Sequence, residues 1–275
     1  PKNLTNHSGN GIVVGGVDRC LIEYCEAANN GWDMPRKGNG PVGIWAWNAS
    51  RVTIQRCISH ENRSPGDDGG GFDFDGGVTD SVLQYNLSFG NAGTGYLLCQ
   101  YGGGGRWKNN VVRHNISYED GLRSFGSGIA LYIPKGMDNM SDALIEHNTI
   151  VSSRYAVSTV GDLPGMIYRN NAFLSGGETL NLAWGEGGFK NSTFGKNLAW
   201  SATRPNPVLL GVSPFSSIEA WEETGGLSSD PSLLLPTSIA DLPTDPRSLA
   251  KMGFFRPLEG SPCLVGRSQL LGARL

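Results

Sequence analysis

Short segments that alternate apolar and polar residues recur along the chain as far as about residue 200. Such alternation over four to eight positions predicts half-buried β-strands. No stretch before residue 215 has a sustained helical period. The first series of segments, mostly opened by glycine, begins at Gly11, Gly43, Gly71, Gly95, Gly128, Tyr155 and Leu180.

A second series of strand-like segments follows the first. These segments begin at Cys20, Val52, Val82, Val111, Leu144 and Met166. The position that closes them reads Cys25, Cys57, Asn86, Asn115, Asn148, Asn171 and Asn197. Five residues later a further polar series reads Asn30, Asn62, Asn91, Asp120 and Ser153.

These polar series indicate that the segments stack on one another. Equivalent residues of stacked coils lie ~4.8 Å apart, so aligned Asn side chains can hydrogen-bond from coil to coil. A repeat of this kind is typical of a solenoid. The sequence therefore predicts an all-β fold, a single-stranded right-handed parallel β-helix of about seven coils over residues 1–200.

The last quarter of the chain has a different pattern and is predicted to be a capping segment of the same domain, residues 201–275. Residues 216–225 have a Ser cap, early acidic positions and a final Gly, which predicts one short helix. The Pro-rich segments after it are expected to cover the last coil, because an open β edge invites aggregation. No such cap precedes Gly11, so we expect self-association through the first coil or a further segment upstream.

The Asn-ladder coils, over roughly residues 8–200, resemble the pectate-lyase-like superfamily of right-handed parallel β-helix proteins. The tail "WEETGGLSSDPSL…FRPLEGSPC" resembles the closing segment of secreted bacterial members, and "DDGGGFDFDGG" followed by "GYLLCQY" resembles a bacterial branch of that superfamily. The resemblance implies a secreted or extracytoplasmic protein that acts on or binds carbohydrate, because members are mostly glycoside hydrolases, polysaccharide lyases, epimerases and sugar-binding phage proteins.

Composition narrows the function classes further. A net charge of −3 and a pI near 5.8 argue against nucleic acid as a partner. No apolar run approaches the ~20 residues that would cross a bilayer, so no membrane partner is expected. The five cysteines match no zinc spacing. Cys25 and Cys57 would be neighbours in one column, where a disulfide is geometrically possible.

The candidate site follows from which strand residues point outward. The residue after each opening glycine is apolar and is predicted to face inward, and successive residues alternate faces. One outward column then reads Val13, Trp45, Asp73, Leu97 and Ala130, and the other reads Gly15, Trp47, Asp75, Cys99 and Tyr132. Two carboxylates beside two indoles, all expected to face solvent, are typical of a sugar site.

The first functional hypothesis is a glycoside hydrolase without a cofactor that acts on a polysaccharide or oligosaccharide. Two or three carboxyl groups at ~5–9 Å can serve as acid and base around a glycosidic bond. Crowding would raise one pKa and leave one group protonated. The expected catalytic residues are Asp73, Asp75 and Asp68, and the expected substrate-binding residues are Trp45, Trp47, Tyr132, Gln100, Arg106 and Lys135.

Two alternatives come from other classes. In a polysaccharide lyase, Asp67, Asp68, Asp73 and Asp75 would hold Ca²⁺, and Lys135, Lys108 or Arg106 would abstract a proton. The third hypothesis is a sugar-binding or structural β-helix without catalysis. It explains the two Trp residues but gives no reason for clustered carboxylates.

Overall fold

The computed structural model describes residues 9–34, 40–123, 126–161, 163–182, 188–204, 215, 217–265, 268–269 and 271–275. The chain winds into three parallel sheets of seven strands each. The seven strands of each sheet are joined by about six full turns, slightly fewer than the predicted seven coils, and the predicted parallel β-helix fold is confirmed.

Each sheet takes one strand from every coil. The first sheet contains β1 Ile12–Gly15, β4 Ile44–Trp47, β7 Phe72–Phe74, β10 Tyr96–Cys99, β13 Ser127–Tyr132, β16 Tyr155–Val160 and β19 Leu180–Leu182. The second sheet contains β2 Asp18–Glu23, β5 Ser50–Gln55, β8 Val82–Gln84, β11 Asn110–Arg113, β14 Ala143–Glu146, β17 Met166–Arg169 and β20 Thr193–Gly195. These two sheets are the two predicted series.

The third sheet lies between the two polar series and was not predicted. Its strands are β3 Glu26–Ala28, β6 Ile58–His60, β9 Leu87–Phe89, β12 Ile116–Tyr118, β15 Thr149–Ser152, β18 Ala172–Ser175 and β21 Leu198–Trp200. Most span only three residues, which is too short for an alternating pattern to stand out. Apolar residues also occupy both faces of this sheet, as at Ile116 and Ile150.

The Asn ladder is confirmed. The Asn115 side-chain amide donates to Asn148 Oδ1 at 3.1 Å, and Asn148 donates to Asn171 at 3.0 Å. At the other end of the column the Cys25 backbone N–H donates to Cys57 Sγ at 3.5 Å. Both cysteines are free thiols, so the disulfide that the spacing permits is not formed in this structure.

The second polar series is confirmed for four of its five members. Asn30 donates to Asn62 at 2.9 Å, Asn62 to Asn91 at 2.8 Å and Asn91 to Asp120 at 2.8 Å. Ser153 has a different role, because its backbone N–H donates to Glu119 Oε2 at 3.3 Å.

The end of the coil is capped as predicted. Helix α1, Ile218–Glu223, begins after Ser217, whose side chain accepts the Ala220 N–H at 3.2 Å. The fully buried Trp221 ring lies 6.1 Å from Phe194 on β20. This aromatic contact closes the apolar interior at the last coil.

After the helix, Leu227 pairs with the last strand of the third sheet, where its N–H donates to Asn197 O and its carbonyl accepts the Ala199 N–H, both at 2.8 Å. The rest of the C-terminal segment then turns along the side of the β-helix. It runs along the outer face of the third sheet, where Gly272 N–H donates to Asn170 O at 2.9 Å and Ala273 N–H to Thr149 Oγ1 at 2.8 Å. Its elements are 3₁₀ helices Ile239–Asp241 and Pro246–Lys251 and the antiparallel pair β22 Leu264–Val265 and β23 Ser268–Gln269. The apolar outer residues of the third sheet, among them Leu87, need this cover.

The first coil is less well buried than the central ones. The inward-facing Ile12 of the first coil is half-buried, whereas Ile44 and Phe72 at the same register position of the next two coils are fully buried. Self-association through this coil stays a prediction. Within the described residues, no helix is long and apolar enough to span a bilayer.

Candidate functional site

The outward columns of the first sheet have the predicted register. Trp45 and Leu97 lie opposite Asp73 in the two neighbouring strands, and Cys99 lies opposite Tyr132. The expectation that Asp73 faces solvent is wrong, because it is only 3% exposed. Leu97 is 5% exposed, so this outward column is covered where the sequence predicted an open surface.

Asp68 lies on a loop that several hydrogen bonds hold in place. It accepts the Gly40 N–H, and the next residue, Gly69, donates to Pro41 O at 2.8 Å. On the other side Gly93 N–H donates to Gly69 O at 2.9 Å. The Asp68 carboxyl is therefore fixed and half-buried, whereas Asp67 beside it is exposed.

Asp75 follows directly after β7 and has a defined set of partners. Its backbone N–H donates to Ala46 O at 2.9 Å, which continues the strand pairing by one residue. Its side chain accepts the Gly76 N–H at 2.7 Å and a hydrogen bond from the Cys99 thiol. Asp75 is half-buried, so part of the carboxyl reaches the surface.

Tyr101 completes this group of side chains. Its ring lies against Gly76, where a Cβ atom would come within 2.4 Å of Tyr101 Cε1. Burial, followed by repulsion from the Asp75 charge, raises the pKa of the Tyr101 hydroxyl. Sequence reasoning missed Tyr101 because it follows the predicted strand and precedes a run of glycines, where alternation assigns no direction.

Burial and mutual repulsion raise the pKa of all three carboxyl groups. Burial followed by repulsion from Asp75 and Asp68 raises the pKa of Asp73 well above its ordinary range. Burial raises the pKa of Asp75 to about 6, although the Gly76 and Cys99 hydrogen bonds oppose the rise. Burial also raises the pKa of Asp68, against the Gly40 hydrogen bond. Asp73 therefore holds its proton to a higher pH than Asp75 does.

Asp73 is also unsatisfied. Its Oδ1 atom is buried and has no hydrogen-bond partner. A buried polar atom without a partner costs about 1–3 kcal/mol, so such groups are rare and call for an explanation. Besides burial, other carboxyls, backbone N–H groups and one thiol shift the pKa values of the three carboxyls. No cation of the described residues is among these groups.

Both indoles lean toward the first coil. Trp45 Nε1 donates to Asn10 Oδ1 at 3.2 Å. The Trp47 indole lies over Gly15, where a Cβ would come within 2.2 Å of Nε1, and Trp47 is 39% exposed. Trp32, which sequence reasoning did not single out, is 63% exposed and has a guanidinium 4.0 Å from its ring centre. The exposed indole surfaces therefore lie on the first two coils, next to the coil that carries Asp73 and Asp75.

The remaining predicted binding residues are scattered. Gln100 is fully buried, and its amide donates to Gly105 O at 2.8 Å, so it holds the glycine loop and is not offered to a substrate. Tyr132 is half-buried beside Cys99, and Arg106 is exposed on the glycine loop. Lys135 is exposed and lines a separate cleft further along the helix.

The predicted calcium set does not fit the structure. Among the described residues, no three Asp, Glu, His or Cys side chains are grouped so that they could hold a metal ion. Asp67 is exposed, whereas Asp73 is only 3% exposed.

Comparison with known proteins identifies the fold family. A family model described as "Right handed beta helix region" matches residues 2–197, which is most of the chain. No curated protein matches the sequence significantly.

Proposed function

The chain belongs to the right-handed β-helix family, and from that premise we propose that it is a glycoside hydrolase that cuts a polysaccharide or oligosaccharide with Asp75 and Asp68. The observation that carries the proposal is the group of three adjacent carboxyls whose pKa values burial raises to different extents. Environments that push carboxyl pKa values apart are how glycosidases separate acid from base.

Asp75 is the general acid of this proposal. Its pKa of about 6 leaves it protonated in mildly acidic solution, and it is partly accessible. It donates its proton to the glycosidic oxygen as the bond to the anomeric carbon breaks. The Cys99 thiol and the Gly76 N–H then stabilise the carboxylate that remains.

Asp68 is the base or nucleophile. The Gly40 N–H favours its ionised form, and the charge of Asp68 raises the pKa of Asp75, so the two carboxyls interact electrostatically. It acts on the anomeric carbon either directly or through a water molecule. Asp73 lies beneath as a positioning residue, because its neutral carboxyl adds no repulsion when Asp68 ionises.

The test is a panel of neutral and acidic polysaccharides incubated with the purified protein, followed by reducing-end release and absorbance at 235 nm. We expect new reducing ends without absorbance, at a rate that falls at least ~100-fold in Asp75→Asn and Asp68→Asn, the scale of a lost acid or base. Turnover should decline above pH 6, where Asp75 ionises. Asp80→Asn is the control, because Asp80 is an exposed carboxyl outside the cluster.

Other results would assign the protein differently. Absorbance at 235 nm together with loss of activity in EDTA would indicate a calcium-dependent lyase, and Asp67→Asn should then be inactive as well. Sugar binding without turnover would assign a non-catalytic binding protein. Full activity in both Asp75→Asn and Asp68→Asn would reject the proposed site.

A further inference from the structure

A cavity of about 320 Å³ lies between the third sheet and the C-terminal segment that runs along it. Its buried floor consists of Ile116 from β12 and of Met252, Phe255 and Ala273 from the segment. Phe254 is half-buried and lines the same space. The volume is in the range of small-molecule sites, and an apolar lining is usual for them. The floor therefore suits the apolar part of a small ligand.

Hydrogen bonds hold both walls of this cavity in place. On one wall the Ala273 N–H donates to Thr149 Oγ1 at 2.8 Å. On the other wall the Phe255 N–H donates to Leu234 O at 2.7 Å, and the Leu234 N–H donates to Arg256 O at 3.0 Å. Walls that are already ordered lose little entropy when a ligand enters, so more of the contact energy appears as affinity.

Phe255 has a backbone conformation that bulky residues rarely adopt. Its φ of 63° lies in the left-handed region. Its ring is 1% exposed and packs edge-on against Tyr118, with 5.6 Å between the ring centres. With this turn, Phe255 and its two chain neighbours, Phe254 and Arg256, all line the cavity. Strained residues of this kind are frequent at sites that hold ligands.

Two arginines line the cavity together with these apolar groups. Arg256 and Arg274 are both exposed, and no Asp or Glu of the described residues lines the cavity with them. Within the described part of the chain, neither guanidinium forms an ion pair, whereas Arg169 pairs with Glu146 at 2.8 Å. Guanidinium groups bind carboxylates and phosphates through paired, charge-assisted hydrogen bonds. The two free guanidinium groups therefore favour an anionic group at the cavity.

We infer that this cavity binds an organic anion, with an aliphatic body against Met252 and Phe255 and a carboxylate or phosphate paired with Arg256 and Arg274. A neutral molecule would leave both guanidinium groups without a partner, and a bare inorganic anion would leave the apolar floor in contact with water. The inference is independent of the proposed hydrolase, because the cavity lies on the third sheet and Asp75 follows β7 of the first.

The first test asks whether both parts of the ligand are needed. Octanoate, octyl phosphate, 1-octanol and inorganic phosphate are titrated into the protein by calorimetry at low ionic strength, where charge pairing is least screened. We expect octanoate or octyl phosphate to bind one molecule per chain, at least about tenfold more tightly than 1-octanol or inorganic phosphate. The tighter of the two anions identifies the preferred head group.

The second test removes the two charges. The double variant Arg256→Gln and Arg274→Gln should bind the anion about tenfold more weakly and 1-octanol as before. Both side chains are exposed, so the variant should keep its fold. Arg247→Gln is the matched control, because Arg247 is an exposed arginine of the same segment that does not line the cavity.

The third test varies the length of the apolar body. From butanoate to octanoate, affinity should rise about three- to fourfold for each added CH₂ group that the floor buries. It should stop rising once the cavity is full. An even rise through dodecanoate would indicate adsorption to the surface and would overturn the inference.

Other outcomes would overturn it as well. These are the absence of saturable binding by both anions, an affinity for 1-octanol equal to theirs, or an unchanged anion affinity in the double arginine variant. A dimer in light scattering that the double variant dissociates would show that a second copy of the chain covers the cavity instead. None of these results bears on hydrolysis at Asp75, which the polysaccharide panel tests separately.

Discussion

Two buried carboxyl groups of this β-helix can be compared directly. Asp120, in the interior ladder, is 2% exposed, and Asp73, beneath the outer surface of the first sheet, is 3% exposed. Asp120 accepts hydrogen bonds from Asn91 N at 3.0 Å, Asn91 Nδ2 at 2.8 Å and Ser117 Oγ at 2.7 Å. Asp73 Oδ1 accepts none.

The difference shows that burial alone does not set the pKa of such a group. Burial raises the pKa of Asp120 only to about 6, because Ser117, Asn91 and Ser88 hydrogen bonds oppose the rise. Burial raises the pKa of Asp73 well beyond its ordinary range, since repulsion from Asp75 and Asp68 adds to the rise and no hydrogen bond opposes it. A structural carboxyl is saturated with donors, whereas an unsatisfied one beside other carboxyls is typical of a functional site.

The largest effect should come from replacing Asp120, whose carboxyl is saturated with hydrogen-bond donors. Asp120→Ala leaves the Asn91 N–H and side-chain amide without their acceptor, together with Ser117 Oγ. We expect the free energy of unfolding to fall by about 3 kcal/mol, measured by urea denaturation. Asp120→Asn, which keeps one acceptor oxygen, should lose less. A loss below about 1 kcal/mol for the Ala variant would mean that this ladder position is not saturated.

Replacing Asp73, whose Oδ1 has no hydrogen-bond partner, should instead stabilise the protein. Asp73 is protonated in the folded protein and ionised in the unfolded chain above about pH 4, so it costs stability as the pH rises. Asp73→Asn cannot ionise and should be more stable than the wild type by on the order of 2 kcal/mol at pH 8. The advantage should vanish near pH 4. Thermal melts at the two pH values measure it, and a variant that is less stable at pH 8 would contradict the assignment.

A smaller effect tests whether an unsatisfied atom by itself marks a site. His114 Nδ1 is also buried without a partner, but its ring stacks between Tyr85 and His147 at 4.9 and 5.0 Å. Burial lowers the pKa of His114 to about 4, with repulsion from His147. Stability should therefore fall as pH drops from about 6.5 to 4, where only the unfolded chain gains the proton.

His114→Gln removes the coupling between protonation at this position and folding stability. Because the ring is half exposed, solvent screening limits the gain, which we expect to be about 1 kcal/mol near pH 4.5. Unfolding at several pH values gives the slope, and turnover should be unchanged. Reduced turnover in this variant would show that the stacked rings of Tyr85, His114 and His147 take part in function.

The interior of the molecule could be predicted from the sequence because its rules are local. Alternation and the spacing of Asn115 and Asn148 determine which side chains face in and which coils adjoin. Asp120 was recognised as a ladder residue for the same reason. The third sheet escaped prediction because three residues carry too little pattern, and the path of the C-terminal segment depends on contacts between distant parts of the chain.

The candidate site could be predicted only in part. Strand alternation gives the outward direction of Asp73 and Asp75, but it does not say whether a distant loop covers them. The pinned loop of Asp68 depends on hydrogen bonds to Gly40, and the position of Tyr101 depends on its packing against Gly76. These are long-range contacts that no local pattern encodes.

Asp75 and Asp73 should hold their protons at higher pH than ordinary carboxyls do. The most direct measurement is an NMR titration of the side-chain carboxyl ¹³C signals, assigned with Asp73→Asn and Asp75→Asn. We expect a midpoint near pH 6 for Asp75 and an Asp73 carboxyl that remains protonated at that pH. Midpoints near pH 4 for both groups, the value of exposed aspartates, would contradict it.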